Sequence, residues 1–208
     1  VSRLGLILLA GGSSQRFENE KLKQLLPVSQ KPLFLYTLDR LTSCIDFKDV
    51  VVVLHPSIEK PADLKIAPGG DSWLDSVFQG FETLDPGLDK ILVHDAARPF
   101  FLVEDLLKLV DEAKKHKLVA LGSKMRNTLI KIEKPTMKIV DRSDIWEIYT
   151  PQIADRELFN LDKSAPCTDL MTFALHHGIQ GKILPSSPIN IKITYPEDAL
   201  ICNYLAIK

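Results

Sequence analysis

Leu4 to Ala10 is an unbroken apolar run, LGLILLA, that ends at Gly11-Gly12. A strand with one wet face alternates apolar and polar residues; a run without alternation belongs in a sheet covered on both faces. The run is too short to cross a bilayer. The only basic residue before it is Arg3 and no small-x-small cleavage pattern follows, so it reads as a first strand rather than a targeting segment, and the protein as cytoplasmic. Further apolar runs follow at Asp49–Leu54, stopped by His55-Pro56, at Lys90–Val93, ending in His94-Asp95, and at Leu118–Leu121. Helical patterns lie between them. Pro32 to Leu41 carries Leu33, Tyr36, Leu38 and Leu41, with proline near its start. Asp71 or Ser72 caps a helix bearing Leu74, Val77, Phe78 and Phe81. Glu104 to His116 turns Leu106, Leu107, Leu109 and Val110 inward. Leu170 to His177 is closed by Gly178. Asn190 to Thr194 reads as a late strand, and Pro196-Glu197-Asp198 opens a last helix to about Leu205.

Strand–crossover order of this kind predicts an α/β fold with a mostly parallel central sheet covered by helices. Between residues 123 and 150 the rhythm changes: Arg, Lys, Asn and Thr interleave with Met125, Leu129, Ile132, Ile139 and Ile145. This stretch is expected to leave the sheet as an inserted arm. With no internal repeat or low-complexity linker, residues 1–208 read as a single domain.

Composition narrows the partners. The chain of 208 residues is 45% hydrophobic and 25% charged, which excludes a disordered chain. Lys and Arg number 26 against 27 Asp and Glu, a net charge of -1, so no global basic field draws it to nucleic acid or a membrane surface. Cys44, Cys167 and Cys202 lie far apart and form no CxxC pair, which favours a reducing compartment.

In open α/β sheets ligands bind beyond the carboxyl ends of the strands. Three polar clusters fall there: Gly11 to Arg16, Gly69-Gly70, and His94 to Pro99. The first is a loop of small residues whose backbone N–H groups suit a polyphosphate, or a tight turn of structural value alone. It is neither G-x-G-x-x-G nor a Walker A loop. Arg16 and Lys23 place two cations just past it, either for a substrate whose charge grows at phosphorus or as a solvated basic surface. Asp95, directly after an apolar strand, suits Mg²⁺, a ribose hydroxyl or a turn cap. Arg98 suits a phosphate or a pair with Asp95. The histidines form no zinc pattern, and no histidine is placed to activate Cys167.

Together these runs resemble the 2-C-methyl-D-erythritol 4-phosphate cytidylyltransferase family. The matching segments are Leu9 to Arg16, Leu22 to Gln24, Gly69 to Asp71 with Asp75 to Val77, His94 to Pro99, Val140 to Arg142, Thr150 to Gln152, Cys167 to Asp169 and Asn190 to Thr194, in family order over nearly the whole chain. The resemblance implies a Rossmann-like nucleotidyltransferase fold, a β arm that clasps a second subunit in a homodimer, and transfer of a cytidylyl group from CTP, with Mg²⁺, to methylerythritol phosphate. It implies that Arg16 and Lys23 are catalytic, neutralising the phosphates of CTP. It sets Ala10, Gly11, Gly12, Ser13 and Ser14 around the triphosphate, Ser76 near the cytosine, and Asp95 at the ribose or Mg²⁺. Arg98, Thr128, Arg142, Thr150, Thr168 and Lys192 are implied for the second substrate, with Arg142 and Thr150 reaching across from the arm. The same resemblance marks departures: Trp73 stands where the family usually has Arg, Asn127 where it has Asp, and Leu25 where it has Tyr. Ribitol 5-phosphate as the acceptor, or CTP binding without turnover, are the rival readings.

Overall fold

The structure, a computed structural model, describes residues 3–12, 17, 22–164 and 167–206. Its centre is a seven-stranded sheet. β1 (Leu4–Ala10) lies between β4 (Asp49–Leu54) and β6 (Lys90–Asp95), parallel to both, with Ile7 opposite Val51 and Val93. Two short strands that fall between β1 and β4 in the chain, β2 (Pro27–Val28) and β3 (Lys31–Pro32), form a small separate hairpin. β5 (Ile66–Pro68) extends the main sheet beside β4. On the other side come β10 (Trp146–Asp155), β7 (Leu118–Lys124) and β11 (Lys182–Pro185). β10 runs antiparallel to both of its neighbours, and the remaining pairings of this sheet are parallel.

Side chains along β1 go alternately to the two faces. Ile7 joins Val51, Val53, Ile91 and Val93 under α2 (Trp73–Thr83) and α4 (Leu170–His176). Leu6 and Leu8 join Val52, Leu54 and Leu92 under α1 (Leu33–Cys44) and α3 (Val103–Glu112). Both faces are covered, so the run without alternation is what the sheet's centre requires. α2 starts where expected: Ser72 Oγ accepts from Asp75 N at 3.0 Å, and Asp75 Oδ2 accepts from Ser72 N at 3.0 Å, a reciprocal cap. Gly178, at φ +72°, ends α4.

Some expected boundaries move. α3 stops at Glu112, where residues 113–115 close into turns on Leu109, Asp111 and Glu112, and Leu107 lies at the surface because it is turned about 100° around the helix from buried Leu106. Asn190–Thr194 is not a strand. Ile193 N donates to Ala97 O at 2.8 Å and Thr194 N to Asp198 Oδ2 at 2.8 Å, so backbone groups meant for a ladder go to a loop and to a helix start. The edge is occupied instead by β11, and the last helix, α5 (Asp198–Ala206), starts two residues later than its proline.

Residues 123–150 divide into two parts. Ser123 and Lys124 pair with Glu147 and Trp146 inside the main sheet. From there projects a hairpin of β8 (Leu129–Glu133) and β9 (Thr136–Val140). Ile130 opposes Ile139 and Ile132 opposes Met137, so four apolar side chains share one face, with relative exposures of 46% (Ile130), 65% (Ile132), 72% (Met137) and 81% (Ile139). Among the described residues no helix is long and apolar enough to cross a membrane.

Candidate active site

The carboxyl ends of β1, β4, β5 and β6 open on one cavity of about 490 Å³. Its wall includes Gly11 and Gly12 after β1, His55 and Pro56 after β4, Gly69 to Trp73 and Ser76 at the start of α2, Lys23, Asp95 and Lys192. The glycine at position 11 is required by close approach: a Cβ there would lie 2.9 Å from Gly69 Cα. Gly70 N donates to Ser76 Oγ at 3.0 Å, which ties this loop to α2. Gln24 is buried in the next wall, and its Nε2 donates to Ala10 O at 3.0 Å and Gly12 O at 2.5 Å. It clamps the start of the glycine loop beside Lys23, which stands in a 3₁₀ turn over Lys23–Leu25.

Asp95 is the electrostatic centre. Oδ2 lies 2.8 Å from Lys192 Nζ and 3.5 Å from Arg98 Nε, and Oδ1 accepts from Trp73 Nε1 at 3.2 Å. Burial alone would push its carboxyl pKa up, but the Lys192 and Arg98 charges outweigh that and hold it well below the usual carboxylate range. Asp95 N donates to Thr150 Oγ1 at 3.0 Å. Thr150 can reach it because β10 runs antiparallel to β6 with Gln152 opposite Val93, a register that continues to Thr150 opposite Asp95. Asn190 Nδ2 donates to Thr150 O at 2.9 Å, and Arg98 Nη1 donates to Asn190 O at 2.8 Å beneath the ring of Tyr149. Adjacent His94 is wholly buried with Nε2 2.9 Å from Arg98 O, and burial pushes its pKa down to about 4. A neutral ring therefore carries its proton on Nε2 and donates it to that carbonyl.

The structure thus brings Gly11, Gly12, Lys23, Ser76, Asp95 and Lys192 into one wall, with Ala10 clamped at its foot. Arg98 and Thr150 lie behind Asp95 and brace it. The expectation that Thr150 belongs to the arm is corrected: it is buried in a central strand, where its hydroxyl is taken by a backbone N–H. Thr128 and Arg142 are exposed on the arm, where Arg142 Nη1 donates to Arg126 O. Thr168 is exposed beside the cap of α4, with its N–H on Thr172 Oγ1 at 3.3 Å. None of these three lines the cavity of this chain. Ser13, Ser14 and Arg16 lie outside the described residues. Sequence reasoning gave no role to Gln24 or Asn190, whose importance comes from long-range hydrogen bonds that leave no local pattern.

A mostly parallel α/β sheet whose glycine turns, helix N-terminus and lysines converge on one cavity defines a nucleotidyltransferase class of protein. The sequence profile of the 2-C-methyl-D-erythritol 4-phosphate cytidylyltransferases matches residues 4–206. The chain belongs to that family. It is 30% identical over 218 residues to the 2-C-methyl-D-erythritol 4-phosphate cytidylyltransferase of Leptospira borgpetersenii serovar Hardjo-bovis, covering 97% of this chain and 93% of the relative. It is 31% identical over 221 residues to the chloroplastic enzyme of the same name from Oryza sativa subsp. japonica, covering 97% and 74%. Among solved structures it is similar to the bifunctional IspDF of Campylobacter jejuni, with a TM-score of 0.85 at 27% identity over 97% of this chain and 54% of that one. The 2-C-methyl-D-erythritol 4-phosphate cytidylyltransferase of Thermus thermophilus shares the fold, with a TM-score of 0.82 at 23% identity over 97% and 98%.

Proposed function

We propose that this chain transfers a cytidylyl group from CTP to 2-C-methyl-D-erythritol 4-phosphate, releasing pyrophosphate. The observation that carries the reading is the cavity wall: Lys23, Lys192 and the glycine turns at Gly11-Gly12 and Gly69-Gly70 line one space at the strand ends. A phosphate oxygen of the acceptor attacks the α-phosphorus of CTP in line. The new O–P bond forms as the bond to the β-phosphate oxygen breaks, and pyrophosphate leaves with that electron pair. A phosphate monoester has its second pKa at about 6, so at neutral pH the nucleophile is already largely dianionic and needs no strong base. The difficulty is bringing one anion to another, and cations and oriented N–H groups meet it.

Mg²⁺ is proposed as CTP's companion. It would screen the phosphates. Among the described residues no cluster of three His, Cys, Asp or Glu could hold a metal. Asp95, the candidate ligand, already accepts from Trp73 on Oδ1 and from Lys192 on Oδ2. The residues present therefore do not fit direct coordination by Asp95, and a Mg²⁺ ion would take its ligands from phosphate oxygens and water.

The proposed partner is a second copy of this chain. An isolated two-stranded hairpin is at best marginally stable in water, and the β8–β9 hairpin exposes its apolar face. Covering that face in a homodimer also takes Arg142 and Thr128 to another subunit. Cys44, Cys167 and Cys202 are free thiols, in keeping with the reducing cytoplasm.

The test is pyrophosphate release from CTP and Mg²⁺, with methylerythritol phosphate and ribitol 5-phosphate run in parallel. Release with methylerythritol phosphate is expected. Release with ribitol 5-phosphate alone would move the substrate assignment, and binding of CTP without release by either would overturn the reaction.

A further inference from the structure

We infer that Trp73 is a positioning residue of this cavity, whose indole N–H keeps Asp95 in place while Lys192 moves between Asp95 and an anionic ligand. The inference rests on the proposed binding of CTP and transfer of its cytidylyl group within this site. The three groups that face the Asp95 carboxylate differ in freedom, and Arg98 Nε, 3.5 Å from Oδ2, forms an ion pair with it but no hydrogen bond. Arg98 is fixed by Asn190 O at 2.8 Å and by the Tyr149 ring, and its side chain is 15% exposed. Trp73 is the first residue of α2, behind a reciprocal cap, and its ring packs on the core beneath. Lys192 has a side chain 34% exposed and lines the cavity directly. A polyanion entering the cavity competes with Asp95 for the Lys192 ammonium, and Lys192 is the donor with room to turn. A carboxylate that lost it would rotate about its last side-chain bond unless Oδ1 were held. Among the described residues Trp73 is the one donor on Oδ1. The indole suits this task because it offers a single N–H and no charge. A phosphate therefore has little pull on it, whereas a guanidinium would be drawn to the ligand.

Two readouts test this. The chain has two tryptophans, so two indole N–H cross-peaks are expected in a ¹H–¹⁵N spectrum, and the one absent from Trp73→Phe is that of Trp73. Asp95→Asn should displace that peak well beyond any displacement of the other. This reads the bond whether or not the chain turns over CTP. In kinetics, Trp73→Phe keeps an aromatic ring and removes the donor. It is expected to lower kcat by about tenfold, the size of one hydrogen bond to a charged group, with the KM for CTP nearly unchanged. In an Asp95→Ala background the same change should add nothing. An indole peak that ignores Asp95→Asn overturns the inference, as does wild-type kcat in a folded Trp73→Phe variant or an equal loss in both backgrounds. A wild-type chain that releases no pyrophosphate with either acceptor overturns the reaction instead, and the indole spectrum then still decides for or against the Trp73–Asp95 bond.

Discussion

Lys192 Nζ stands 2.8 Å from Asp95 Oδ2 and joins the irregular segment after β11 to the carboxyl end of β6. A buried carboxylate that loses one cation is left undercompensated. Lys192→Ala is expected to lower the unfolding free energy by about 2 kcal/mol, a partly exposed charged hydrogen bond, and to weaken CTP binding as well. Urea unfolding and a CTP titration of the same sample check both. Lys192→Arg should recover stability better than it recovers binding, because a guanidinium does not place its charge where an ammonium does.

Lys23 lines the cavity from the opposite end of the chain. Lys23→Ala is expected to lower kcat by about 10²-fold while KM for CTP changes far less, as for other donors aimed at charge that develops in a transition state. Steady-state kinetics decide it, and an effect confined to KM would leave Lys23 a binding group only.

His94 gives a pH signature. Its folded pKa, about 4, lies below the ordinary 6.5 because burial disfavours the charged ring. Between these values the unfolded chain binds the additional proton, so stability rises with pH and is lost as pH falls from 6.5 toward 4. The loss is on the order of 3 kcal/mol over that window. Chemical denaturation at about pH 7 and about pH 5, either side of the unfolded value, should show it, and His94→Gln should flatten the slope.

The apolar face of the hairpin predicts assembly. Ile132→Lys combined with Ile139→Lys, both well exposed in the chain alone, should leave the core folded and shift a dimer to monomer in sedimentation. Mixing Arg142→Ala subunits with Lys23→Ala subunits should restore part of the activity if the arm completes a neighbour's site.

The central strands were legible because burial on two faces leaves a plain mark in Leu4–Ala10 and Asp49–Leu54. The cap at Ser72 was equally local. Asn190–Thr194 misled because its apolar alternation, Ile191 and Ile193, is that of a strand, whereas its hydrogen bonds go to Ala97 and Asp198. Lys23, Asp95 and Lys192 were identifiable singly, but their convergence comes from topology. Trp73 stood out as a departure from the family pattern, and only the structure shows that its N–H meets the Asp95 carboxylate.

Asp95 is held by partners from four separate stretches: Trp73, its neighbour Arg98, Thr150 and Lys192. During synthesis the strands β1, β4 and β6 exist long before residue 192 is made. The sheet centre can therefore settle early, while Asp95 waits without its ammonium. Competence to hold a nucleotide should arrive as a late step, after most of the fold is already resistant to proteases. A chain cut just before Asn190 should keep much of its sheet and lose the site almost entirely.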